Sequence, residues 1–112
     1  RIGVGARMSK AVVHNDTVYL AGQVADKTAG QSVAEQTKEI VAIIDQLLAE
    51  AGSDKTKMLS ATIYLADIKT FPEMNSVWDT WVTPGHTPAR ATVEAKLAAP
   101  QYTVEIAVIA AR

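Results

Sequence analysis

Apolar and polar positions alternate in a way that divides the chain into short β-like runs and two helical stretches. Ala11–His14 is mostly apolar and β-branched, Asn15 and Asp16 interrupt it, and a second β-like run follows from Thr17 to Gln23. Two such runs about an Asn-Asp pair predict a hairpin. Asp26–Gln31 is polar with a glycine and reads as a loop. Ser32 with Glu35 three residues later forms a capping box, in which each side chain satisfies a free backbone N–H at a helix start. Ile40, Ile44, Leu47, Leu48 and Ala51 follow at helical spacing, with Lys38, Glu39, Asp45, Gln46 and Glu50 largely on the other side. This predicts a surface helix with one buried stripe, ended by Gly52.

Leu59–Leu65, rich in Thr62, Ile63 and Tyr64, predicts a strand, reached by a right-handed parallel crossover through the preceding helix. Thr70 and Glu73 repeat the capping-box spacing, with Pro72 in the first turn, where the missing N–H costs nothing. Met74, Trp78, Trp81 and Val82 mark one face of the second helix, and Pro84 and Gly85 end it. Ala91–Leu97 alternates polar and apolar like a half-buried strand. Tyr102–Ala110 is apolar on both faces. The expected order is ββαβαββ, an α+β domain spanning residues 1–112: one mixed sheet with two helices on one face. No element remains to cover the other sheet face, so a partner subunit is the natural cover.

Composition changes this picture little. The chain has 112 residues, a hydrophobic fraction of 48% and no cysteine. Disulfides and thiolate chemistry are therefore excluded. The net charge is −1, from 11 basic and 12 acidic residues that form no basic run. Nucleic-acid binding rests on clustered Lys and Arg and is not favoured. No apolar run reaches membrane-spanning length, and no signal-peptide pattern is present. The chain opens on Arg1 rather than Met, which leaves room for a preceding segment. A cytoplasmic protein without membrane association is expected.

Two side chains carry candidate chemistry. Arg90, in Pro88–Val93 at the start of a strand, offers a planar fork of donors that fits a carboxylate. The alternative is an ordinary surface arginine or an interface ion pair. Glu105 lies among Val104, Ile106, Ala107 and Val108, an apolar setting that a carboxylate occupies only when paired. It reads either as a group that positions water or as an ion-pair partner, Arg90 included. Glu94 alternates with Thr92 and Lys96 and reads as solvent-facing. His14 and His86 lack neighbours at metal-ligand spacing, so no metal site is expected. Trp78 and Trp81 read as helix core or subunit contact rather than a cofactor box. Asn75, one turn earlier, is a candidate polar group at a cleft. Neither a phosphate-binding glycine loop nor a nucleophile elbow is present.

Pro88-Ala89-Arg90-Ala91-Thr92-Val93-Glu94-Ala95-Lys96-Leu97-Ala98, followed by Val104-Glu105-Ile106, resembles the C-terminal signature of the Rid (YjgF-type) family. Val18–Gln23 resembles the first-hairpin Gly-Gln strand of that family, and Phe71–Asn75 its second-helix start. The resemblance covers the chain from about Ala11 onward. It implies a chorismate-mutase-like homotrimer with clefts between subunits. It further implies hydrolytic deamination of 2-imino or enamine acids to keto acids and ammonia, without metal or organic cofactor. In that scheme Arg90 clamps the substrate carboxylate and Glu105 positions water, while Gly22, Asn75 and Thr92 contribute to the substrate-binding wall.

Two positions depart from the archetype. Met8 stands where the family has an active-site Tyr, and Thr92 where a Cys is common. Met8 cannot replace a phenol, so substrate preference is open at that end. A non-catalytic trimer that binds small carboxylates is the alternative; both readings need Arg90, and only the enzyme needs water placed by Glu105.

Overall fold

The computed structural model describes residues 1–112. Its strands are β1 (Ala11–His14), β2 (Thr17–Leu20), β3 (Gln23–Val24), β4 (Met58–Leu65), β5 (Ala89–Glu94) and β6 (Val104–Ala111). The helices are α1 (Val33–Glu50) and α2 (Phe71–Trp81). The strands form one sheet in the order β1-β2-β6-β4-β5, with β3 also paired to β6. Only the β4–β5 pair is parallel. Both helices cover one face of this mixed sheet, which is the expected α+β layering.

Local signals explain most boundaries. Asn15 turns the β1–β2 hairpin with φ 54°, a left-handed conformation that Asn tolerates. The Ser32 hydroxyl accepts from the Glu35 N–H at 3.2 Å and starts α1. Gly52, at φ 79°, follows its end. The buried stripe of α1 includes Ile40, Ile44, Leu47 and Leu48 and packs over Ile63, Leu65, Ile106 and Val108 in one core. Each such side chain taken fully out of water contributes about 1.5–3 kcal/mol.

Four details differ from the sequence expectation. The run Thr17–Gln23 is not one strand. Tyr19 pairs with Ile109 and Gln23 with Ile106, so four steps along one strand match three along the other. The surplus residue breaks the ladder at Ala21–Gly22, as a bulge does. Thr70 makes no capping bond; its hydroxyl donates to Asp67 O at 2.6 Å. Glu73 instead accepts the Ala34 N–H of α1 at 2.8 Å, so the second helix caps the first. The strand expected at Ala91–Leu97 runs from Ala89 to Glu94 and is an exposed edge, because nothing in this chain covers its outer side. Finally, α2 ends at Trp81, before Pro84 and Gly85.

The face away from the helices carries Tyr19, Thr62, Tyr64, Glu105, Ala107 and Ile109. Tyr19 is 45% and Val93 43% exposed there, and the outward residues of β6 are half-buried. The uncovered face anticipated from the pattern is thus present, and it is largely apolar.

Candidate functional site

Arg90 is the second residue of the edge strand β5 and pairs with Ala61 of β4. Ala61 is a core residue on the helix side, so the Arg90 side chain leaves the sheet on that side and runs against α2. One guanidinium N–H donates to Asn75 Oδ1 at 2.8 Å. The guanidinium carbon stands 5.3 Å from the centroid of the Phe71 ring and 5.5 Å from that of Trp78. These three residues recur at i, i+4 and i+7 on α2 and so share one helical face.

No carboxylate pairs with Arg90. The only ion pair in the chain is Lys38–Glu35, on the surface of α1. The guanidinium is exposed and its charge is uncompensated, while its donors beyond the Asn75 bond remain available.

Glu105 lies elsewhere. It pairs with Tyr64 of β4, three residues from Ala61, which places it on the open sheet face. Arg90 and Glu105 therefore project to opposite sides of one sheet, on strands separated by β4. An Arg90–Glu105 ion pair within one chain is excluded by this arrangement. The Glu105 carboxylate rests against Gly22 at the Ala21–Gly22 break, where a Cβ would stand 2.2 Å from Oε2. Glycine at position 22 is what makes room for that carboxylate.

The five residues singled out from the sequence thus fall into two groups. Arg90 and Asn75 are brought together, with Thr92 two residues along β5 on the same side. The Thr92 hydroxyl is buried without a hydrogen-bond partner. Gly22 and Glu105 form the second group, on the other side. Sequence reasoning missed Phe71 as part of the Arg90 surroundings and assigned Trp78 to packing alone. Trp78 does pack, 5.2 Å from Trp81 between centroids, but it also faces the guanidinium. The i, i+4, i+7 spacing with Asn75 was the available signal.

Met8 is 56% exposed in the segment before β1. His14 and His86 are exposed, and Glu94 accepts the Ile68 N–H at 3.1 Å from an exposed position. No group of three or more acidic or histidine side chains is gathered at one point. No helix is long and apolar enough to cross a membrane. Two clefts open in the single chain, of about 370 Å³ beside Leu97 and Tyr102 and about 320 Å³ between Lys10, Val24 and Leu47. Neither contains Arg90 or Glu105.

A two-layer α+β domain with an unpaired arginine on its edge strand and a glycine-seated glutamate on its open face defines a narrow class. Residues 1–112 match the family model described as Endoribonuclease L-PSP. The chain belongs to this family, the Rid or YjgF group of proteins. It is 50% identical over 110 residues to a RutC family protein of Haemophilus influenzae, covering 98% of this chain and 95% of that one. It is 34% identical over 107 residues to the 2-iminobutanoate/2-iminopropanoate deaminase of Rattus norvegicus, covering 91% and 77%. The crystal structure of NMB1025, a YjgF family member from Neisseria meningitidis, superposes with a TM-score of 0.96 at 48% identity. That match covers 99% of this chain and 92% of the other.

Proposed function

We propose that this protein hydrolyses 2-imino acids and their enamine tautomers to 2-keto acids and ammonia, in clefts between the subunits of a homotrimer. The observation that carries the reading is Arg90: a held, exposed guanidinium with no acidic partner is suited to a small carboxylate. The rat relative named as a 2-iminobutanoate/2-iminopropanoate deaminase supports the reaction class.

In this mechanism Arg90 binds the substrate carboxylate and fixes the imine carbon in place. Glu105 accepts a proton from a water as its oxygen adds to that carbon. The proton returns to the nitrogen to give a carbinolamine; its hydroxyl proton then passes through Glu105 to the same nitrogen as the C–N bond breaks, so that ammonia leaves and the carbonyl forms. The imine is already electrophilic, so orientation and charge placement supply most of the catalysis. The chemistry calls for neither metal nor organic cofactor. Gly22 seats the glutamate, and Thr92 follows Arg90 on the same side of β5, its hydroxyl buried and unpartnered in the single chain.

Because Arg90 and Glu105 of one chain face apart, a single small substrate reaches both only if they come from different chains. The open apolar face is the surface such an assembly would cover. A net charge of −1 without a basic run fits a small acid better than RNA. The protein is read as cytoplasmic, where amino-acid chemistry releases imines.

The test is direct. An amino-acid oxidase generates 2-iminopropionate, semicarbazide traps what remains, and wild type is compared with Arg90→Ala. Faster imine loss with wild type, absent in the variant, is expected. A folded wild type inert towards small and bulky imino acids would leave the alternative, a trimer that binds small carboxylates without turning them over.

A further inference from the structure

The side chains that hold Arg90 are all neutral. Arginines at the surface of a sheet edge are ordinarily free in solvent or paired with an acid. Arg90 is neither. Asn75 Oδ1 accepts from it at 2.8 Å, and the rings of Phe71 and Trp78 approach within 5.3 and 5.5 Å. All three groups belong to α2, and that helix is itself anchored. Glu73 binds the Ala34 N–H at 2.8 Å, and the Trp81 indole N–H donates to Asp45 at 3.0 Å, both on α1. Trp78 is buried, whereas Asn75 is only partly so.

We infer that Phe71, Asn75 and Trp78 are positioning residues: they hold the Arg90 guanidinium in a preset plane without neutralising it. The inference rests on the reading of Arg90 as a carboxylate clamp. Two aromatic faces attract the cation through their ring quadrupoles and restrict its swing. An amide oxygen takes one N–H and fixes rotation about the guanidinium axis. An aspartate at position 75 would fix the same geometry but cancel the charge a substrate carboxylate needs. A neutral acceptor at this position preorganises the cation while leaving the charge for the ligand.

The experiment uses the full chain labelled with ¹⁵N-arginine. The guanidinium Nη signals report rotation about the Cζ–N bonds, and loss of one set in Arg90→Lys assigns Arg90. Restricted, separately resolved Nη signals are expected in wild type. Asn75→Ala and Trp78→Leu should average them and raise KM for 2-iminopropionate about tenfold, with kcat changed less. Trp78→Phe, which keeps a ring, should restore most of the restriction. Asn75→Asp should keep the signals resolved yet weaken pyruvate binding, read as a pyruvate-induced shift of the same signals. Averaged Arg90 signals in wild type, or signals unchanged by Asn75→Ala in a folded variant, overturn the inference. A purely structural role for the three residues would move the unfolding midpoint and leave the Nη signals unmoved. Should no imine be hydrolysed while Asn75→Ala still frees the guanidinium, the deaminase reading falls and the positioning role stands.

Discussion

Gly22 and Glu105 touch across the break between β2 and β3, where a Cβ on residue 22 would come within 2.2 Å of Glu105 Oε2. The obstructed atom is the far end of a flexible side chain, so the conflict is relieved by moving the carboxylate rather than the backbone. Gly22→Ala should therefore change stability by no more than about 1 kcal/mol. Its imine hydrolysis should fall by about a hundredfold, because a small misplacement of a reacting group is costly. Denaturant unfolding and the semicarbazide assay, run on the same preparation, check both halves.

Arg90→Ala and Glu105→Ala should each abolish activity alone, and chains of the two variants refolded together should regain about a quarter of the wild-type rate. A cleft drawing Arg90 from one chain and Glu105 from its neighbour is intact in about one of four random pairings. Mixtures that stay inactive, although shown by mass to be mixed oligomers, would rule out clefts of this composition.

Gln36 is fully buried and makes three hydrogen bonds: Nε2 to Gln31 O at 3.1 Å and Gln101 O at 2.9 Å, and Oε1 from the Thr103 N–H at 2.9 Å. It ties the start of α1 to the segment that leads into β6. Gln36→Leu fills the same space but leaves the Gln31 carbonyl and the Thr103 N–H unpaired, while Gln101 O keeps the Gly30 N–H, and should cost about 2 kcal/mol. Urea unfolding of the variant measures it.

Glu39 gives an acid-side dependence. Its burial opposes the charged form, but the Thr28 hydroxyl and the Lys27 and Thr28 N–H groups outweigh that and hold its pKa below the usual glutamate value. A depressed folded-state pKa adds stability above the unfolded value and loses it as pH falls through the folded one. Unfolding midpoints taken from about pH 6 down to about pH 3 should fall less steeply in Glu39→Gln than in wild type.

The elements were legible wherever a local cause decides them. Gly52 and Asn15 act through their own left-handed backbone and Ser32 through its hydroxyl, and each does what its residue type suggests. Thr70 carried the same signal as Ser32 and failed: the turn Ile68–Thr70 runs straight into α2, so Thr70 has φ −83° and ψ 5° rather than the extended backbone from which a hydroxyl can accept a helix N–H. Of the site, the residue types were readable and their grouping was not. Arg90 meets Asn75 only because β5 lies parallel beside β4, which brings it under α2. Its separation from Glu105 depends on registers against β4, and a one-residue slip in either would reverse the face. No spacing along the chain encodes such a register.

The place of β6 bears on how this sheet closes. It pairs with β2, β3 and β4 and so occupies the middle of the sheet, yet it is the last strand in sequence. Without it, the β1–β2 hairpin and the β4–α2–β5 unit have no strand to join them. Until Val104–Ala111 pairs, the inner edges of both halves stay open, so closing this sheet depends on contacts between strands far apart in sequence.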